Sequence, residues 1–169
     1  MAKPTLRASS DTSIKLSPFR KKDLASLVLL EKRLFPIDKW SKDDFLEELQ
    51  NDANSIKVLR DGERVIGYVH TEVRKRKVRT GKIVRIGEIG SIAVDRKYRG
   101  KRLGERLVRS GIRRLQRIDA DKIIIHTRVD NIPMQRLATE KFGFKKVKVH
   151  KDAYGDGAAA YEMIYQPST

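Results

Sequence analysis

The sequence predicts a mixed α/β domain, with a central sheet of about seven strands flanked by about four helices. Two observations carry that expectation. Apolar residues switch along the chain between helical spacing and strand-like runs, and the marked segments are separated by Pro, Gly and Asp/Asn punctuation. Length is consistent with both: 169 residues suffice for one domain with its own core, without a metal or disulfide staple.

The elements follow in order. Residues 14–17 form a short extended piece. Within 23–34, Leu24, Leu27, Val28, Leu30 and Leu34 share a helical face, and Pro36 stops the helix. Ser41 and Asp44 have the spacing of an N-cap pair for a second helix, ending near Asn51, with Phe45, Leu46 and Leu49 as its buried stripe. Residues 56–59 and 65–73 are two strands joined by Asp61 and Gly62, a dipeptide suited to a tight hairpin. Residues 83–94 make one long strand, in which Gly87 and Gly90 mark a bulge or a close approach by another group.

Leu103, Leu107, Val108, Gly111, Ile112, Leu115 and Ile118 trace a helix whose opposite face is almost all arginine. Residues 122–129 start with isoleucines on both faces, as a central strand covered by helices does. A short helix over 133–141 stops at Gly143, and residues 144–149 and 159–165 pair as a closing hairpin across the loop 152–157. Residues 1–13 are polar and lack the apolar centre of a secretory signal, so they are expected to be a flexible tail, with 14–166 the domain.

Composition narrows the function. The absence of cysteine excludes disulfides, thiolate metal clusters and a thiol nucleophile, and leaves the redox compartment open. No apolar run approaches membrane-spanning length, so no membrane partner is expected and the cytoplasm is the default location. The net charge of +16 attracts polyanions, and it is clustered. Residues 74–85 carry seven cations and no acid, and residues 96–117 carry ten against Glu105 alone. Either a solvated surface or a contact with RNA or the ribosome accounts for such runs.

Chemistry concentrates where the strand ending in Ile92, Ala93 and Val94 turns through Arg99, Gly100, Lys101, Arg102, Leu103 and Gly104 into the basic helix. Backbone N–H groups, the helix dipole and adjacent cations at such a turn make a pyrophosphate site. The run I-A-V-D-R-K-Y-R-G-K-R-L-G-E-R-L resembles the acetyl-coenzyme A motif of the GNAT superfamily of N-acetyltransferases, written Q/R-x-x-G-x-G/A. Arg99 matches the motif's first position and Gly104 its last, while Arg102 replaces the middle glycine. The order of elements over residues 14–165 is also that of the family.

The resemblance implies a GNAT fold and acetyl-CoA as cosubstrate, with no metal. The pantetheine arm would lie in a split between the strands ending at Val94 and Val129, held by backbone groups of Ile92 and Val94. Asn131, ahead of the K-F-G-F ending, matches a cofactor-contacting asparagine. The tyrosine that usually protonates the departing thiolate is replaced by Thr139 or, allowing for spacing, Ala138. Leu34, Phe35 and Pro36, with the Y-G-D-G-A-A-A-Y-E-M segment from Tyr154, resemble the branch that acetylates protein α-amino groups, including ribosomal-protein alanine acetyltransferases. Phe35, Pro36 and Tyr154 are therefore implied to line the peptide. Ile37 stands where one member of that branch has a catalytic glutamate, and Ala153, Ala158 and Ala159 also depart from its pattern.

Amine acetylation needs a base. His126, near the end of the central strand, titrates near neutrality without perturbation, and Glu88 lies on the strand that leads to the split. Both are candidates. The expected activity is acetyl transfer to a protein or peptide α-amine, by a monomer or a subunit of a complex. A lysine acceptor, or a catalytically weak RNA-binding module of the same fold, are the alternatives.

Overall fold

The computed structural model describes residues 13–167, so the expected tail lies almost wholly outside the described residues. Strand β1 (Ile14–Pro18) leads into helix α1 (Leu24–Leu34) and helix α2 (Lys42–Gln50). Ser41 caps α2 as its spacing predicts, its hydroxyl accepting from the Asp44 N–H while the Asp44 carboxylate accepts from the Ser41 N–H. Strands β2 (Ser55–Asp61), β3 (Arg64–Lys77) and β4 (Ile83–Val94) form a meander. Helix α3 (Leu103–Arg117) crosses to β5 (Lys122–Arg128), α4 (Ile132–Arg136) follows, and β6 (Lys145–His150) and β7 (Ala160–Tyr165) close the chain.

The seven strands lie in the order β1-β2-β3-β4-β5-β7-β6. Every neighbouring pair is antiparallel except β4 with β5. A parallel pair needs a crossover, and α3 supplies it. Helices cover both faces. Leu103, Leu107, Val108, Ile112 and Leu115 of α3 pack with Ile66, Val69, Ile89, Ile123 and Ile125. On the opposite face Leu24, Leu27, Leu30 and Phe45 pack with Val58, Val65, Tyr68 and Ala93. Ile66 is the extra residue of a bulge against β2, so Val65 and Tyr68 face one core while Ile66 and Val69 face the other.

Two local expectations are corrected. The β2–β3 turn falls one residue later, because Asp61 pairs with Arg64 and Gly62 takes the first linking position with φ +59°. The helix expected over 133–141 is α-helical only through Arg136 and widens into a π-helical turn over Leu137–Lys141. There the Thr139 hydroxyl donates to the Gln135 carbonyl at 2.9 Å, a back-bond that competes with regular helix. Gly143 ends the turn at φ +73°, as its position predicts.

Candidate active site

Strands β4 and β5 pair only over Ile86 to Ile89 against Lys122 to Ile125. Beyond that point β4 stays bonded to β3 as far as Val94, and β5 to β7 as far as Arg128, so the two strands part. The parting begins at a bulge. His70 pairs with Ser91 and Thr71 with Ile89, leaving Gly90 as the extra residue. A Cβ on Gly90 would lie 2.7 Å from Nδ1 of His70, and one on Gly87 would lie 2.8 Å from a Leu115 methyl. Gly90 thus provides the bulge and both glycines the close approaches that the sequence predicts.

A cavity of about 610 Å³ opens along the split. Its wall brings together Phe35, Pro36, Ile92, His126, Asn131 and Tyr154, six of the residues predicted from sequence. The first two come from the α1–α2 loop and Tyr154 from the β6–β7 loop. These loops meet across the mouth, where the Gly155 N–H donates to Asp38 at 3.0 Å. Arg128 forms a bidentate pair with Asp156, at 3.2 and 2.6 Å, and its guanidinium lies 4.7 Å from the Tyr154 ring centroid. Burial pushes the Tyr154 hydroxyl above its ordinary pKa, and the ring stands at the rim beside Arg128.

The two candidate bases are partners rather than rivals. His126 Nδ1 and Glu88 Oε1 are 2.8 Å apart, joining β5 to β4 at the closed end of the split. His126 is part-exposed and lines the cavity; Glu88 is not in the cavity wall. Arg74 donates to the other Glu88 oxygen at 3.1 Å. The hydrogen bond to Glu88, against partial burial, raises the His126 pKa, and Glu162, 3.7 Å from Nε2, adds to the effect. Burial alone would raise the Glu88 pKa, but His126 and Arg74 hold it below the usual value. A carboxylate on Nδ1 fixes the ring's orientation and tautomer.

The turn from Arg99 to Gly104 has the backbone its residues suggest. Gly100 takes φ +82° and Arg102 takes φ +56°, so Arg102 adopts the left-handed conformation that a glycine would hold without strain. Its side chain is exposed. As N-cap of α3 it offers no acceptor, and among the described residues no side chain caps that helix. The first N–H groups of α3 are therefore free of intrahelical and capping partners, next to Arg99 and Lys101. The preceding turn is anchored by Asp95, buried and bonded to Arg33, Arg64 and the Lys97 N–H. Ala93 and Val94 face the two cores, leaving only their backbone to the split.

Asn131 is more constrained than the sequence suggests. Its Oδ1 accepts from the Met134 N–H to cap α4, which leaves the amide NH2 as the group that can reach into the cavity. Thr139 and Ala138 make poor acids, the former bonded to a carbonyl and the latter fully buried. Sequence reasoning missed Glu31. It is 1% exposed, accepts from Tyr68 Oη at 2.6 Å and the Trp40 N–H at 2.8 Å, and reaches the cavity wall. Burial raises its pKa. The signal was present, because Glu31 sits one heptad after Leu24 and four residues after Leu27, on the apolar stripe of α1.

The chain is similar to known proteins in sequence and in fold. A profile described as the acetyltransferase (GNAT) family matches residues 24–144. An N-alpha-acetyltransferase of Saccharolobus solfataricus is 32% identical over 123 residues, covering 70% of this chain and 73% of its own. Among solved structures, Arabidopsis thaliana NAA60 in complex with a bisubstrate analogue superimposes with a TM-score of 0.80 at 18% identity, covering 92% of this chain and 99% of that one. The ribosomal-protein-S18-alanine N-acetyltransferase of Escherichia coli gives 0.76 at 22% identity, covering 92% and 95%. At those identities the two structures speak for the fold.

Proposed function

Because the chain belongs to the acetyltransferase (GNAT) family, we propose that it transfers acetyl from acetyl-CoA to the α-amino group of a peptide held in the cavity between the β4–β5 split and the two rim loops. The observation that carries this is the Glu88–His126 pair at the closed end of the split, with His126 open to the cavity. The unpaired edge of β4 from Ser91 to Val94, the uncapped start of α3 and the amide of Asn131 are the groups available to acetyl-CoA. Acetyl-CoA supplies the activated thioester carbonyl.

The amine nitrogen attacks that carbonyl, a C–N bond forms, and the C–S bond breaks. His126 takes the proton released by the amine, directly or through a water, while Glu88 orients the ring and stabilises the imidazolium that forms. Thiolates with a pKa of about 8.5 leave readily without a dedicated acid, which accommodates the lost tyrosine. Glu31 and the ring of Tyr154 lie on the peptide side of the cavity. The named relative, an N-alpha-acetyltransferase, supports the α-amine acceptor over lysine.

The outer face of α3 supports an RNA contact in the cytoplasm. A groove of about 730 Å³ there is lined by Lys57, Arg106, Arg109, Arg113 and Arg117, with no acid and no aromatic in its wall. Such a surface suits a phosphate backbone rather than stacked bases.

A panel of peptides differing in their first residue, each with a free and a blocked α-amine, tests the reaction. Acetyl transfer confined to free α-amines is expected. Transfer to internal lysines in the blocked set would overturn the acceptor, and thermal stabilisation by CoA with no transfer to any peptide would leave a binding module.

A further inference from the structure

We propose that His126, His150 and Glu162 form a divalent transition-metal site whose occupation switches the transferase off. The three residues come from β5, β6 and β7, which are hydrogen-bonded neighbours in the sheet. Their ligand atoms all lie within 4.8 Å of one another. Glu162 Oε2 is 2.7 Å from His150 Nε2 and 3.7 Å from His126 Nε2. Those separations bracket the roughly 3.3 Å between ligand atoms of a tetrahedral zinc ion with bonds of about 2.0–2.1 Å.

Three further features point to an ion rather than a chance cluster. His126 already carries Glu88 on Nδ1, the carboxylate–histidine arrangement that orients metal-binding imidazoles. The His126 and His150 rings meet edge to face at 5.3 Å. All three side chains are part-exposed, so an ion can enter and keep a water as its fourth ligand. Two imidazoles and one carboxylate suit zinc, nickel, copper or ferrous iron rather than calcium or magnesium. Lys148, close enough to Glu162 to act on it electrostatically, opposes a cation and argues for a reversible site rather than a permanent one. A second trio, Glu48, His70 and Glu72, is less suited because His70 is buried and closed to an entering ion.

An ion on Nε2 occupies one nitrogen of His126 while Glu88 holds the other, leaving the ring no lone pair for the amine proton. This half of the inference rests on His126 being the base. The resemblance implies no metal, and the three ligands, separated along the chain, meet only through the order β5-β7-β6.

Calorimetric titration of the full chain with zinc chloride, and visible spectra with cobalt chloride, test the site without reference to activity. A single binding event and tetrahedral cobalt bands are expected. Both should be lost in His150→Ala and Glu162→Gln, and Glu88→Gln should weaken binding about 10–100-fold. Circular dichroism confirms that each variant is folded. Acetyl transfer by the wild type should be inhibited by zinc and restored by EDTA, while His150→Ala should transfer acetyl but ignore zinc. Absence of binding, or wild-type binding by His150→Ala, would overturn the site and leave the transferase standing. Binding that leaves turnover untouched would overturn the switch and count against His126 as base.

Discussion

Strands β4 and β5 are two different structures along one pair of segments. Where they are bonded, Ile86, Ile89, Ile123 and Ile125 are buried and Gly87 lies tight against Leu115. Where they part, the wall holds Ser91, Ile92, His126, Thr127 and Arg128, part-exposed apart from Thr127. The closed half holds the domain together and the open half lines the candidate site, and a bulge at Gly90 separates them. The candidate site is a strand pair prevented from finishing.

The largest effect comes from the open half. His126→Phe is expected to lower turnover roughly 10²–10⁴-fold, the usual contribution of a positioned base, with the melting temperature and acetyl-CoA affinity little changed. Glu88→Gln should lower turnover less, because it keeps the shape but loses the charge behind the ring. Steady-state kinetics beside calorimetric acetyl-CoA binding would show it, and near-normal turnover in His126→Phe would remove the pair from the mechanism.

Next come the glycines on either side of the divide. Gly87→Ala meets Leu115 side-chain atoms first, at 2.8 to 3.1 Å, so it should destabilise by the roughly 1–3 kcal/mol of an overpacked core. Turnover per folded molecule should survive. Gly90→Ala meets the His70 ring, which is held by Glu48 and by the edge of Trp40 at 4.8 Å. It should lose similar stability and also turnover, because the bulge that parts the strands must shift. Denaturant unfolding together with kcat on folded protein separates the two, and wild-type kcat in Gly90→Ala would break the link between bulge and site.

Much of this was legible because periodicity and punctuation report local packing. The α1 stripe, the Ser41 cap and the Gly143 stop are each set by residues close in sequence. The glycine turn ahead of α3 was legible for the same reason. Contacts across the sheet were not. Glu88 and His126 read as competitors because nothing in a linear pattern sets the stagger between parallel strands joined by a helix. Buried Glu31 and the bidentate Asp23–Arg60 pair, bonded also to Ser17, likewise depend on partners brought together by tertiary structure. The π-helical turn after α4 escaped because Thr139 reads as an ordinary helical residue until its back-bond is seen.

A smaller effect tests the departure at the cofactor turn. Arg102→Gly removes a non-glycine residue from φ +56° and should raise stability by about 1 kcal/mol, visible as a higher melting temperature. It also removes a cation beside the proposed phosphate site. The KM for acetyl-CoA should therefore rise at low salt and converge with wild type at high salt, where screening hides the charge. An unchanged KM at low salt would show that Arg102 points away from the phosphates.

The smallest expected effect sits at the divide itself. His70 is 2% exposed, its Nδ1 is buried without a hydrogen-bond partner, and it packs beneath Gly90. Burial lowers its pKa, and Glu48 on Nε2 only partly offsets this. A histidine whose folded pKa lies below its unfolded value binds its proton more readily when unfolded, so its contribution to stability is fully present above an unfolded pKa of about 6.5 and is lost as pH falls through the folded one. Melting temperatures between neutral and mildly acidic pH should fall more steeply for the wild type than for His70→Gln, which has no ring to protonate. Because the ring supports the bulge, hydrogen exchange over residues 89–92 should quicken in the same range before the closed half responds. Parallel melting curves for the two proteins would separate His70 protonation from the loss of the divide.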